Sequence, residues 1–346
     1  MSAGRAAALP PLLALGLALL AVACDGQHSG PAPAATDAAS PEPAPAQTQP
    51  AAARPAPAST PTPVPAAELP IVDLHFHPEP GWTGLDALFD EVGVRMAGNG
   101  ASGPDQLALD LARRYPGRIV PFGGGDDVRR LVRSLGSRAW EAQDAAVQEF
   151  LARLEALLRD GSLRGIGEIH VNNAASNIAG SPVYRYPADS ALVRRLFELS
   201  ARYRVPMSVH MDAEPASVAE LERLLASDRG GTLLWAHTGH YADVALIRRL
   251  LTAHANLFCE LSYRISISGS RSATSLDDRG RLREEWRQLI EDFPDRFVIG
   301  TDLGAPHPPS YRYYIGFWRG ILEQLSPAAA EKLAYVNAER LLRAAR

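Results

Sequence analysis

The chain has 346 residues, 46% hydrophobic and 21% charged, which fits a soluble globular protein with a sizeable core. A formal net charge of -4 gives no electrostatic reason to expect a nucleic-acid partner. The two cysteines, Cys24 and Cys259, lie in unrelated contexts and form no disulfide framework, and the only lysine is Lys332.

Arg5 and the Ala/Leu run Ala6 to Ala23 have the charge and apolar length of a bacterial export signal. Pro10-Pro11 interrupts the run, which is too short for a spanning helix. It ends in Leu20-Ala21-Val22-Ala23-Cys24, which resembles a bacterial lipoprotein signal, with Ala21 where leucine is usual. The resemblance implies a signal peptide over 1–23 and lipidation of Cys24, with Asp25 similar to an inner-membrane retention signal. The expected location is the cell envelope, on the periplasmic side of the inner membrane or at the outer membrane. A cleaved export signal with an incidental cysteine is the other reading. From Asp25 to Glu68 the chain is Ala, Pro, Thr, Ser and Gln with almost no large apolar residue. Such a segment cannot offset its ordering entropy, so 24–68 is expected to be a disordered, semi-stiff tether and 69–346 the folded domain.

The first strand is Ile71 to His77, alternating apolar and polar, so that His75 and His77 emerge on one face with Asp73. A helix over 84–91, a strand over 92–97, a helix over 104–114 and a strand over 119–123 follow. A long helix is expected over 139–160, with Phe150, Leu151, Leu154, Leu157 and Leu158 on one face. Gly165 to Val171 is the fourth strand, then a helix over 190–203 and the fifth strand, 205–210. A helix over 215–226 leads to the sixth strand, 233–237, and a helix over 242–253 to the seventh, 257–262. A helix over 279–292 precedes the eighth strand, 296–302, and two helices, 311–324 and 328–344, close the chain. Alternating strands and helices argue for parallel βαβ units. Eight of them closing on themselves make an α/β TIM (β/α)8 barrel, with a metal site at the C-terminal ends of the strands.

Polar residues cluster at those ends. Strand one ends in His75 and His77, strand four in Glu168 and His170, strand five in His210, strand six in His237 with His240 just beyond, and strand eight in Asp302. Of nine histidines, most fall at or just past a strand end, where a chance scatter would leave them in helices or loops. Histidine and carboxylate ligands suit a first-row divalent ion such as zinc in a catalytic site.

These pieces resemble the amidohydrolase superfamily, in particular its amidohydrolase-related (amidohydrolase 2) branch, over nearly all of 70–346. The matching segments are Asp73-Leu74-His75-Phe76-His77, Val209-His210, Trp235-Ala236-His237-Thr238-Gly239, Val298-Ile299-Gly300-Thr301-Asp302 and Asn337-Ala338-Glu339-Arg340-Leu341-Leu342. The resemblance implies that His75, His77, His210 and Asp302 hold a metal, and that His237 binds a second one or acts in acid/base chemistry. Lys332 lies in the last helix, which excludes a carboxylated strand-four lysine as the bridge between two ions. Glu168 stands there instead, and Gly167-Glu168-Ile169 resembles the bridging glutamate of TatD-type hydrolases. Glu168 is then either that bridge or a carboxylate beside a single ion.

The expected cofactor is a divalent metal, zinc for preference, as one or two ions, with Asp302 and His237 catalytic. Asp302 would orient a metal-activated water and shuttle its proton. His170 and Arg264, with Arg271 in the following loop, are weaker candidates for holding substrate. The implied activity is hydrolysis of an amide, ester or lactone bond in a small molecule. The alternatives are a one-ion non-oxidative decarboxylase of the same superfamily, for which Arg264 would hold a substrate carboxylate, and a non-catalytic binding lipoprotein. The expected partners are a small-molecule substrate and, through the lipid alone, a membrane.

Overall fold

The computed structural model describes residues 64–77, 79–99, 104–174, 183–264, 274–277, 279–304 and 306–343. The expected signal peptide, Cys24, nearly all of the tether and Arg271 lie outside the described residues. All described residues belong to the unit Thr60–Arg346.

Eight parallel strands pair in chain order: β1 (Ile71–Phe76), β2 (Val94–Asn99), β3 (Ile119–Gly124), β4 (Gly165–Asn172), β5 (Pro206–Met211), β6 (Thr232–Ala236), β7 (Leu257–Glu260) and β8 (Phe297–Val298). Parallel bridges Asp73–Ile299 and Phe76–Leu303 join the last strand to the first, so the sheet closes into the expected α/β TIM barrel. The regular part of β8 is only two residues long, against the expected seven. Past Ile299 the backbone turns inward, with Thr301 and Asp302 both donating to the His75 carbonyl and Asp302 at φ 53°.

The helices between strands are α1 (Leu85–Val92), α2 (Asp105–Arg114), α3 (Gly125–Leu135), α4 (Ala145–Arg159), α5 (Ala191–Tyr203), α6 (Pro215–Ser227), α7 (Val244–Ala253) and α8 (Glu284–Asp292). Asp144, Ser190 and Asp243 cap three of them by accepting from backbone N–H groups of the first turn. The helix expected over 139–160 forms as α4, which begins six residues later than expected, at Ala145. Residues Gly136–Glu141 form a 3-10 turn that buries Trp140, and Asp144 starts α4. The sequence reading missed α3 because its charged residues leave only a narrow apolar stripe, of which Val128 and Leu131 are buried.

At the C-terminus come α9 (Pro308–Leu322), α10 (Pro327–Glu331), one π-helical turn and α11 (Asn337–Arg343). Tyr311 and Trp318 of α9 are buried against the barrel, whereas Tyr313 faces solvent. Leu341 and Leu342 pack with Val72, Leu74, Phe122, Leu234, Phe258 and Val298. Side chains from five different strands meet in one such cluster by facing the barrel's interior, so α11 plugs the end opposite the polar residues.

Candidate metal centre

Side chains from five strand ends converge on one point. His75 Nε2 and His77 Nε2 lie 3.0 Å apart, and Asp302 Oδ1 is 3.2 Å from the first and 2.6 Å from the second. On the other side, His237 Nε2 is 3.1 Å from His210 Nδ1. Glu168 stands between the two groups. Its Oε2 is 3.4 Å from His75 Nε2 and 3.7 Å from His77 Nε2, while its Oε1 is 3.1 Å from His210 Nδ1 and 3.4 Å from His237 Nε2. The sequence thus named six side chains that the fold brings together: His75, His77, Glu168, His210, His237 and Asp302.

Asp73 does not join them, contrary to the expectation of a shared face. The β1–β2 register slips between Asp73 and Phe76, so alternation fails there. Asp73 instead accepts from Thr301 N (3.0 Å), Thr301 Oγ1 (2.7 Å) and the Tyr311 hydroxyl (3.1 Å), tying β1 to β8 and α9.

The electrostatics call for a cation. Glu168, Glu260 and Asp302 surround His75 within hydrogen-bonding or near hydrogen-bonding range. Burial opposes a charge on His75, yet Asp302, Glu168 and Glu260 hold it well above its ordinary value. Burial would likewise raise Asp302, but His75 and His77 hold it well below the usual carboxylate range. Burial would raise Glu168 too, and His170 and His75 keep it low. Burial pushes His237 down to about 4, leaving a neutral ring with a lone pair to offer. His77 Nδ1 and His210 Nε2 are buried without a hydrogen-bond partner. Ionised carboxylates and inward imidazole nitrogens are the donor set of a divalent-ion site, and these residues fit one.

His170, a weaker candidate, does reach the centre. Its Nε2 is 3.2 Å from Glu168 Oε2, its ring stacks on His210 at 4.9 Å, and its Nδ1 meets the Tyr184 hydroxyl at 2.5 Å. Arg264 does not. It is fully buried, donating to the carbonyls of His237 (2.8 Å), Thr238 (2.7 Å) and Gly239 (3.1 Å), with its guanidinium 5.3 Å from the Trp286 ring. Those three residues form a left-handed run, at φ 55°, 49° and 55°. Two of them are not glycine, which costs backbone energy. At Gly239 a side chain is also excluded, since a Cβ would lie 1.9 Å from the Trp235 ring. The expected substrate clamp is therefore the support of the turn that presents His237.

The sequence reading missed several neighbours. Asp212 lies 3.3 Å from His240 Nδ1 and, with His210, forms a further donor group beside the first. Tyr184 follows β4 in a segment with no periodicity to mark it, and Tyr263 packs its ring 5.1 Å from His237. Cys259 is a small buried residue, its thiol pushed up to about 12 by burial.

A family model described as Amidohydrolase matches residues 68–344. Among solved structures, an uncharacterized TIM-barrel protein from Bordetella bronchiseptica superposes with a TM-score of 0.55 at 16% identity, over 80% of this chain and 99% of that one. A 2,6-dihydroxybenzoate decarboxylase from Rhizobium reaches 0.49 at 11% identity, over 80% and 99%. A dihydroxybenzoic acid decarboxylase from Polaromonas sp. JS666, solved with manganese and 2-nitroresorcinol, reaches 0.48 at 13% identity, over 80% and 98%. At such identities the first likeness speaks for the fold alone. No curated protein matches the sequence.

Proposed function

The chain belongs to the amidohydrolase family, and from that premise we propose a metal-dependent hydrolase that cuts an amide, ester or lactone bond in a small molecule. One observation carries this choice. The two oxygens of Glu168 divide the surrounding nitrogens, Oε2 facing His75 and His77 and Oε1 facing His210 and His237. A carboxylate so placed suits a bridge between two ions. His75, His77 and Asp302 would hold the first and His210 and His237 the second, with zinc preferred for a histidine and carboxylate set. With a single ion, His210 joins the first set and His237 is left to polarise the substrate.

A divalent ion there supplies Lewis acidity and brings the pKa of water to about 7. The chain's own residues do the rest. Asp302, kept ionised by His75 and His77, is placed to take a proton from the attacking water and give it to the leaving group. His170 steadies Glu168, and the rings of Tyr184 and Tyr263 flank the histidines, where substrate would enter. Arg264, the residue that would hold the substrate carboxylate in the decarboxylase alternative, is committed to three backbone carbonyls.

Metal analysis of the purified full chain, with ester, lactone and carboxylate panels, tests this proposal. Two equivalents of metal are expected, with hydrolysis reduced in Glu168→Gln by at least the ~100-fold that outer partners of metal ligands can cost. One equivalent with carbon dioxide release would replace hydrolysis by decarboxylation. A chain that binds no metal would sink the enzyme reading. The lipid anchor at Cys24 is also our proposal. Cell fractionation should place the full chain with membranes and Cys24→Ser in the soluble fraction, and an unchanged distribution would remove the anchor.

A further inference from the structure

The seventh strand contributes no candidate ligand, yet its last residue touches both sides of the centre. Glu260 is almost fully buried. Its Oε2 lies 2.6 Å from His75 Nδ1 and accepts from the Ser262 hydroxyl at 2.8 Å and from the His237 backbone N–H at 3.1 Å. Its Oε1 accepts from the Ser262 backbone N–H at 2.5 Å. The Ser262 hydroxyl in turn lies 2.7 Å from His237 Nδ1.

Hydrogen counting then leaves one arrangement. A carboxylate only accepts, so the hydrogen between His75 and Glu260 sits on His75 Nδ1. Ser262 has one hydroxyl hydrogen and gives it to Glu260, so its oxygen accepts from His237 Nδ1–H. Both rings therefore carry a hydrogen on Nδ1, one by direct contact with Glu260 and the other through Ser262, which leaves Nε2 as the nitrogen that would give its lone pair to an ion. The two rings stack at 4.9 Å, which keeps the pair in register. Space for Glu260 is provided by Gly300, where a Cβ would lie 2.1 Å from Glu260 Oε1 and 2.5 Å from His75 Cβ.

We propose that Glu260 is a positioning residue that sets the tautomer of His75 and, through Ser262, of His237, so that one carboxylate behind the site prepares a ligand on each side of Glu168. It touches no substrate. The proposal rests on the metal-centre reading above, and it adds that the two halves of the site share one orienting group.

The test compares the full chain with its Glu260→Gln and Ser262→Ala variants. Zinc affinity is measured by chelator competition, imidazole tautomers in the zinc-loaded protein by 15N NMR, and folding by thermal melts. In Glu260→Gln the new amide must present either its oxygen or its NH2 to His75, and only one Oε remains to accept. Zinc binding should weaken about 10- to 100-fold, with the 15N pattern of both rings altered. Ser262→Ala should alter the signals of His237 and leave those of His75 in place, a split that mere loss of packing would not produce. Should Glu260→Gln fail to fold, Ser262→Ala decides alone: altered His237 signals support the proposal and unaltered ones overturn it. Zinc affinity and tautomers unchanged in folded variants overturn it while leaving the metal centre intact. A wild-type chain that binds no zinc overturns both.

Discussion

The Asp105 carboxyl at the start of α2 is pushed up to about 6 by burial, against the opposing pull of the Gly124 N–H that donates to it at 2.8 Å. In the unfolded chain the same group titrates near 3.8. A raised folded-state pKa contributes stability that is complete below the unfolded value and is lost as pH rises through the folded one. From pH 4 to pH 7 the wild type should therefore lose on the order of 2 kcal/mol that Asp105→Asn keeps, after discounting for partial exposure. Urea unfolding at both pH values, with chelator present, checks this. A constant offset between variant and wild type would show that Asp105 does not couple to folding. Arg264 illustrates a related rule. A guanidinium at a strand's end looks like an anion receptor in sequence, but once buried it must find acceptors. Here three carbonyls of a left-handed turn 25 to 27 residues away supply them.

Whole elements were legible where a strong local period existed. The strands of the barrel and the helices facing it repeat apolar residues every two or every 3.6 positions, and most lie within a few residues of their expected ends. The failures have local causes. In α3, acidic and basic residues pair with each other and with α4, as in Arg153 to Asp127, and so mask a helix of ordinary length. The register slip in β1 turns Asp73 from His75's presumed companion into the residue that joins β8 and α9. In β8 the ladder ends early because Thr301 and Asp302 turn their N–H groups onto the His75 carbonyl. The last two departures shape the centre directly, one setting the course of β1 beneath its histidines and the other turning Asp302 inward.

At the scale of the whole molecule, the candidate ligands come from β1, β4, β5, and the turns after β6 and β8. An ion held by them would tie distant parts of the barrel together, and would bind the folded chain far more tightly than the unfolded one, in which these ligands are apart. By linkage, zinc at 1,000 times its Kd contributes about 4 kcal/mol. For a domain of this size each kcal/mol moves Tm by about 2–4 °C. Stripping the metal with chelator should thus lower Tm by about 10 °C, and adding Zn2+ back should restore it. A melt indifferent to both treatments would mean that the site does not hold an ion.

The sequence by itself determined the barrel and the types of side chain at its strand ends, because strand periodicity and the chemistry of histidine and carboxylate act locally. Glu260 and Ser262 carried no such mark. A glutamate ending an apolar strand acquires meaning only through partners 185 and 23 residues away, which closure of the sheet brings beside it. Lys332, 2.9 Å from Asp295 near the C-terminus, shows the complement: one residue's place in the order of elements was enough to exclude a lysine bridge. Tertiary structure alone decided which nitrogen faces which oxygen of Glu168, since hydrogen bonds from different strands set those ring orientations and no local pattern encodes them.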